Sequence, residues 1–88
     1  MHYVYILMSQ QDRDLYIGST SDLRRRLSEH NSGKSFSTAS RRPFKLVYYE
    51  AYSAEAEARK RESSLKLHGQ ARRQLMIRLQ TSLRQAKS

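Results

Sequence analysis

The chain has 88 residues, 38% hydrophobic and 28% charged, with no cysteine, so a single domain over 1–88 with one small core is expected, and disulfides and thiolate metal sites are excluded. Seventeen Lys and Arg against eight Asp and Glu give a formal charge of +9, which favours a polyanionic partner, nucleic acid first, through phosphate neutralisation and counterion release. No apolar stretch approaches the roughly 20 residues that span a bilayer and the first residues lack a signal-peptide pattern, so no membrane partner is expected and the cytoplasm is the expected compartment.

In chain order, Tyr3–Met8 is an unbroken apolar and aromatic run too short for a helix, and reads as a buried strand; Leu15–Ser19 reads as a second. The polar connector between them fits a hairpin, which brings Tyr5 and Tyr16 close. Ser21 and Asp22 suit a helix N-cap, and Leu23 to about Asn31 carries helix formers until Asn31, Ser32 and Gly33 end them. Lys34–Pro43 reads as an exposed basic loop. Phe44–Ala51 is aromatic and aliphatic, a third strand. Ser53 is placed to cap a helix over Ala54–Leu67, with Glu55 and Glu57 in its first turn and Gly69 suited to its end. Leu75, Leu79 and Leu83, with Met76, form an i, i+4, i+8 stripe that predicts one more helix over about 70–86. The predicted order is ββαβαα, an α+β domain with a three-stranded antiparallel sheet flanked by helices.

Three features carry candidate chemistry. Glu62 lies between Ala58 and Leu65 on the inward stripe of its helix, and a carboxylate there needs a partner, either a cation such as Lys66 one turn on or a metal ion. Arg26 and His30 stand four apart on one face of the first helix, near a strand end, where cationic side chains accept phosphate. The strands themselves read Tyr3-Val4-Tyr5 and Tyr16-Ile17-Gly18, the second running through Ser19 and Thr20 into Asp22-Leu23-Arg24-Arg25-Arg26-Leu27-Ser28-Glu29-His30-Asn31.

This arrangement resembles the GIY-YIG nuclease family over residues 3–67, and its small stand-alone members in particular. In that family a G-I-Y strand and a Y-I-G strand precede a helix with an essential arginine, and a later helix supplies one metal-binding glutamate. The resemblance lays Tyr5 and Tyr16 on the two motif tyrosines, Arg26 on the helix arginine, His30 on its common companion, Glu62 on the glutamate and Lys66 on a frequently basic position. Two departures are visible: Tyr3 stands where the motif's name calls for glycine, and no asparagine occurs after Asn31, although several members use one late in the fold.

The resemblance implies a divalent-metal-dependent endonuclease hydrolysing phosphodiester bonds of DNA, single-stranded or structured substrates included, in repair or processing, with one Mg²⁺ or Mn²⁺ on Glu62. It implies that one of Tyr5 and Tyr16 activates the water while the other orients it or contacts phosphate, with Arg26 binding a phosphate oxygen and His30 assisting. A tyrosine's ordinary pKa of about 10 is too high for an efficient base at neutral pH, so adjacent charge from Arg26 is expected to favour the phenolate. Arg24, Arg25, Lys34, Arg41, Arg42 and Lys66 are the expected backbone contacts of the nucleic acid. The alternative is a non-catalytic nucleic-acid-binding module on the same scaffold.

Overall fold

The computed structural model describes residues 1–88. Strands β1 (His2–Ser9), β2 (Leu15–Thr20) and β3 (Phe44–Tyr52) form one antiparallel sheet in the order β2-β1-β3. Helices α1 (Leu23–Ser32), α2 (Glu55–Leu67), α3 (Gly69–Arg78) and α4 (Gln80–Lys87) complete the chain. No helix is long and apolar enough to cross a membrane.

The central strand explains the unbroken apolar run. Side chains alternate between the faces of a strand, and β1 is covered on both. Val4 and Ile6 join Ile17, Ala58, Leu65 and Leu75 in the core beneath α2 and α3. Tyr5 and Leu7 join Phe44 on the opposite face, against Tyr16, Leu23 and Leu27. Opposite Tyr5 on β2 stands Gly18, where a methyl group would sit 2.5 Å from the Tyr5 hydroxyl oxygen and 3.1 Å from the Tyr16 ring. The glycine of the second motif is therefore the space into which the first motif's tyrosine fits.

Helix α1 starts at Asp22, whose side chain accepts from the Arg25 N–H at 3.0 Å, and ends at Gly33 in the left-handed region, φ 82°. Helix α2 is fastened to β3 by Glu50, which accepts from Arg61 at 3.0 Å and from the hydroxyls of Tyr48 and Tyr52 at 2.7 and 2.6 Å. These two tyrosines serve packing and this cluster.

Four expectations change. Ser53 does not cap α2: the N-cap position is Ala54, without a side-chain bond, and the helix begins at Glu55. Gly69 does not end α2 either, since its last turn closes on His68 in an extended conformation and Gly69 opens α3. The predicted last helix is broken at Leu79, giving ββαβααα. Leu79 has φ −100° and ψ 15°, and its N–H is shared between the carbonyls of Leu75 and Met76. The break leaves Leu75 in the main core and turns α4 back onto β3, burying Ala86. The loop 34–43 is not wholly exposed: it buries Ser35 and Thr38 and holds a 3₁₀ turn at Ala39–Arg41.

Candidate active site

On the α1 face of the sheet, Tyr5, Tyr16 and His30 form an aromatic triangle. The His30 ring lies 4.9 Å from Tyr16 and 5.8 Å from Tyr5, edge-on to both, and the two tyrosines are 6.3 Å apart. The Tyr5 hydroxyl meets His30 Nε2 at 2.9 Å, and His30 Nδ1 meets Thr38 Oγ1 at 2.7 Å. Thr38 Oγ1 in turn donates to the Ser35 carbonyl at 3.4 Å. With the Thr38 proton directed to that carbonyl, Nδ1 carries the imidazole hydrogen, Nε2 has the lone pair and Tyr5 donates to His30; with the Thr38 proton on Nδ1 the directions reverse.

Electrostatics keep the ring neutral in either direction. His30 is fully buried, and burial, with the Arg26 charge behind it, lowers its pKa, so it is neutral at pH 7. Burial pushes the Tyr5 phenol up to about 12, and the Arg26 guanidinium offsets this only in part. Arg26 acts in the expected direction, lowering the Tyr5 pKa, but loss of hydration outweighs it, and the guanidinium is itself shared with Glu29 at 3.1 Å. Tyr16 differs. Its hydroxyl has no protein partner, and no buried side-chain polar atom lacks one, so that oxygen faces solvent.

The His30 shift has a testable consequence for stability. The folded pKa lies below the unfolded value of 6.5, so as pH falls through 6.5 the unfolded chain takes up a proton the folded chain refuses. Stability present above pH 6.5 is therefore lost on acidification. Denaturant unfolding at pH 7.5 and 5.5 should show this loss in the wild type and a flatter response in His30→Gln; equal pH dependence in the two proteins contradicts it.

Glu62 approaches from the other face. Ser19, one residue beyond Gly18, points towards α2 and donates to Glu62 Oε1 at 2.7 Å, while Lys66 Nζ holds Oε2 at 2.7 Å. Burial raises the Glu62 pKa, but the bonds from Lys66 and Ser19 outweigh it and the carboxyl is held below its ordinary value. The salt bridge expected as the plain explanation of Glu62 is thus present, and the carboxylate is ionised. Its charge adds to the raising of Tyr5, which places it within electrostatic reach of that phenol. Because β2 is an edge strand, a ligand touching both halves of the site has to cross that edge. A groove of about 500 Å³ runs there, lined by Asp14, Leu15, Tyr16, Ile17, Lys66, Arg72 and Met76.

Comparison with known proteins shows the family. The GIY-YIG catalytic domain matches residues 1–75. The chain belongs to the GIY-YIG family. Similar members are UPF0213 proteins: one from Staphylococcus haemolyticus is 40% identical over 77 residues, covering 86% of this chain and 93% of that one. One from Haloquadratum walsbyi is 35% identical over 85 residues, covering 96% and 94%. The solution NMR structure of a UPF0213 protein from Bacillus halodurans has a TM-score of 0.53 and 40% identity, covering 85% of this chain and 81% of the other. The domain is accordingly of a nuclease type, a family that handles nucleic acid.

Of the residues expected at this GIY-YIG site, Tyr5, Tyr16, Arg26 and His30 come together and Glu62 flanks them across β2. Lys66 is tied to Glu62. Arg24, Arg25, Lys34 and Arg42 are exposed, with Arg24 on a separate groove beside Tyr3 and Tyr49. Arg41 is paired: its guanidinium grips Asp12 at 2.7 and 3.3 Å and lies over the Phe44 ring. Sequence reading missed Ser19, Ser35, Thr38 and Arg72. Small hydroxyl residues and one arginine among twelve carry no periodic signal; only the fold selects them.

Proposed function

We propose that this protein is a divalent-metal-dependent endonuclease that hydrolyses phosphodiester bonds of DNA. The observation that carries the reading is the bond chain joining the Tyr5 hydroxyl, a buried, neutral His30 and Thr38, taken in the tautomer that leaves the lone pair on Nε2. A phenol beside a free imidazole lone pair has somewhere to send its proton, which is what a tyrosine base at neutral pH requires.

In this reading the water that attacks phosphorus gives its proton to the Tyr5 oxygen while the phenolic proton passes to His30 Nε2. Thr38, bonded to Nδ1, fixes the ring so that the lone pair faces Tyr5. Arg26 and the free Tyr16 hydroxyl bind the non-bridging phosphate oxygens as negative charge develops there. Lys66 and Arg72 hold the chain where it crosses the edge of β2. Glu62 fits a hard divalent cation: it is ionised and partly exposed between Ser19 and Lys66, and no cluster of three His, Cys, Asp or Glu exists that would make a closed cage. Glu62 would hold Mg²⁺ or Mn²⁺, which would supply charge neutralisation at the phosphate.

The test is incubation of the purified protein with labelled single-stranded, duplex and branched DNA in Mg²⁺ or Mn²⁺. Cleavage of at least one, stopped by EDTA, is expected. A folded protein that binds DNA and cuts none of them is instead a binding module.

A further inference from the structure

Phe36 is 98% exposed, the most exposed large apolar side chain in the protein, whereas the only other phenylalanine, Phe44, is buried in the core. Single exposed apolar residues are ordinary on protein surfaces, and Leu67 and Ile77 on the helices need no further account. Phe36 differs in how it is mounted. It is the second residue of a turn closed by the Thr38 N–H on the Ser35 carbonyl at 3.1 Å. The residues at both ends of that turn are buried and bonded to the candidate site: Ser35 Oγ faces Arg26 Nη2 at 3.5 Å, and Thr38 Oγ1 holds His30 at 2.7 Å. The ring is therefore presented to solvent by a support anchored on the phosphate-binding arginine and the proton-accepting histidine. Exposed Lys34 lies two residues before it, and the exposed Arg42 sets its guanidinium beside Gly33 at the start of the same loop.

We propose that Phe36 is a stacking platform for an unpaired nucleobase next to the phosphate that Arg26 binds. The inference rests on the nuclease reading for its substrate and adds the strand state. An aromatic face set among cations matches a base attached to a phosphate chain, since every base has a π-face and stacking tolerates any sequence. In a duplex those faces are covered by neighbouring pairs, so only a single-stranded or splayed nucleotide can use the ring.

The chain contains no tryptophan, so Phe36→Trp introduces one fluorophore at the platform itself. In EDTA, its emission should be quenched on titration with single-stranded dT12 and unaffected by a 12-base-pair duplex. Fluorescein-dT12 anisotropy should show Phe36→Ala binding about 5- to 100-fold more weakly than wild type, with Leu67→Ala unchanged. Unquenched tryptophan on protein that anisotropy shows to be bound, or equal affinity of wild type and Phe36→Ala, overturns the proposal. So does a concentration-dependent tryptophan shift without DNA, which would place a second copy of the chain on the ring. Cleavage by the wild type together with indifference to Phe36→Ala would remove the platform and leave the nuclease reading standing. Quenching without cleavage by the wild type would do the reverse.

Discussion

Glu62→Gln should reduce cleavage at least about 1,000-fold, the equivalent of about 4 kcal/mol of transition-state stabilisation, while DNA affinity in EDTA stays unchanged or rises. The substitution keeps shape and the ability to accept from Ser19, and removes only the charge. In the proposed mechanism that charge is the main hold on the divalent ion, because no group of three His, Cys, Asp or Glu side chains exists to share it. Folding should survive. Glu62 and Lys66 form a partly exposed i, i+4 pair, and such pairs contribute about 0–1 kcal/mol. Loss of Glu62's charge also frees Lys66 to meet phosphate, which is why affinity does not fall. A variant that keeps wild-type cutting, or that loses DNA binding in parallel, contradicts the assignment. Rates, thermal midpoints and dT12 affinities of the two proteins are the measurements needed.

Tyr5→Phe should lower the rate by about 100- to 10,000-fold, the range of general base catalysis, and should also lower stability by about 1–3 kcal/mol, because His30 Nε2 is left buried without a donor. Tyr16→Phe provides the contrast. Its hydroxyl is bonded to nothing in the protein, so stability should hold while the rate falls by about 100- to 1,000-fold for loss of a phosphate-oxygen donor. The pH profile separates the roles. The wild type and Tyr16→Phe should share an acid limb set by protonation of His30, below pH 6.5 because the His30 pKa is lowered. In Tyr5→Phe the residual rate should lose that limb. An acid limb that persists in Tyr5→Phe and vanishes in Tyr16→Phe would exchange the two tyrosines.

The sequence made the sheet and the candidate quartet Tyr5, Tyr16, Arg26 and His30 legible because each rests on a local pattern. The run Tyr3–Met8 is continuous because β1 is covered on both faces, and Arg26 and His30 are one turn apart because they share a helix face. The break at Leu79 was invisible, since the leucine stripe continues through it; what decides the break is the tertiary reward of turning α4 onto β3. The same limit hid Thr38. Nothing in residues 34–43 marks one hydroxyl as the fixed end of a proton path, and its role exists only once α1 and the loop are folded together. The ion pair of Arg41 was hidden for the mirrored reason, its partner Asp12 lying 29 residues away in the β1–β2 connection. Arg26 pulls Tyr5 in the expected direction, but the larger opposing effect of burial exists only once the sheet and α1 close over the phenol, so the balance was not legible in the sequence.

The most direct measurement is single-turnover cleavage of end-labelled DNA at saturating protein, run with Mn²⁺ and with EDTA for wild type and Glu62→Gln, alongside anisotropy on the same samples. The account predicts product only for wild type with the ion, and comparable binding in all four conditions. Equal product from Glu62→Gln, or binding by the wild type with no product from any strand form, would contradict it.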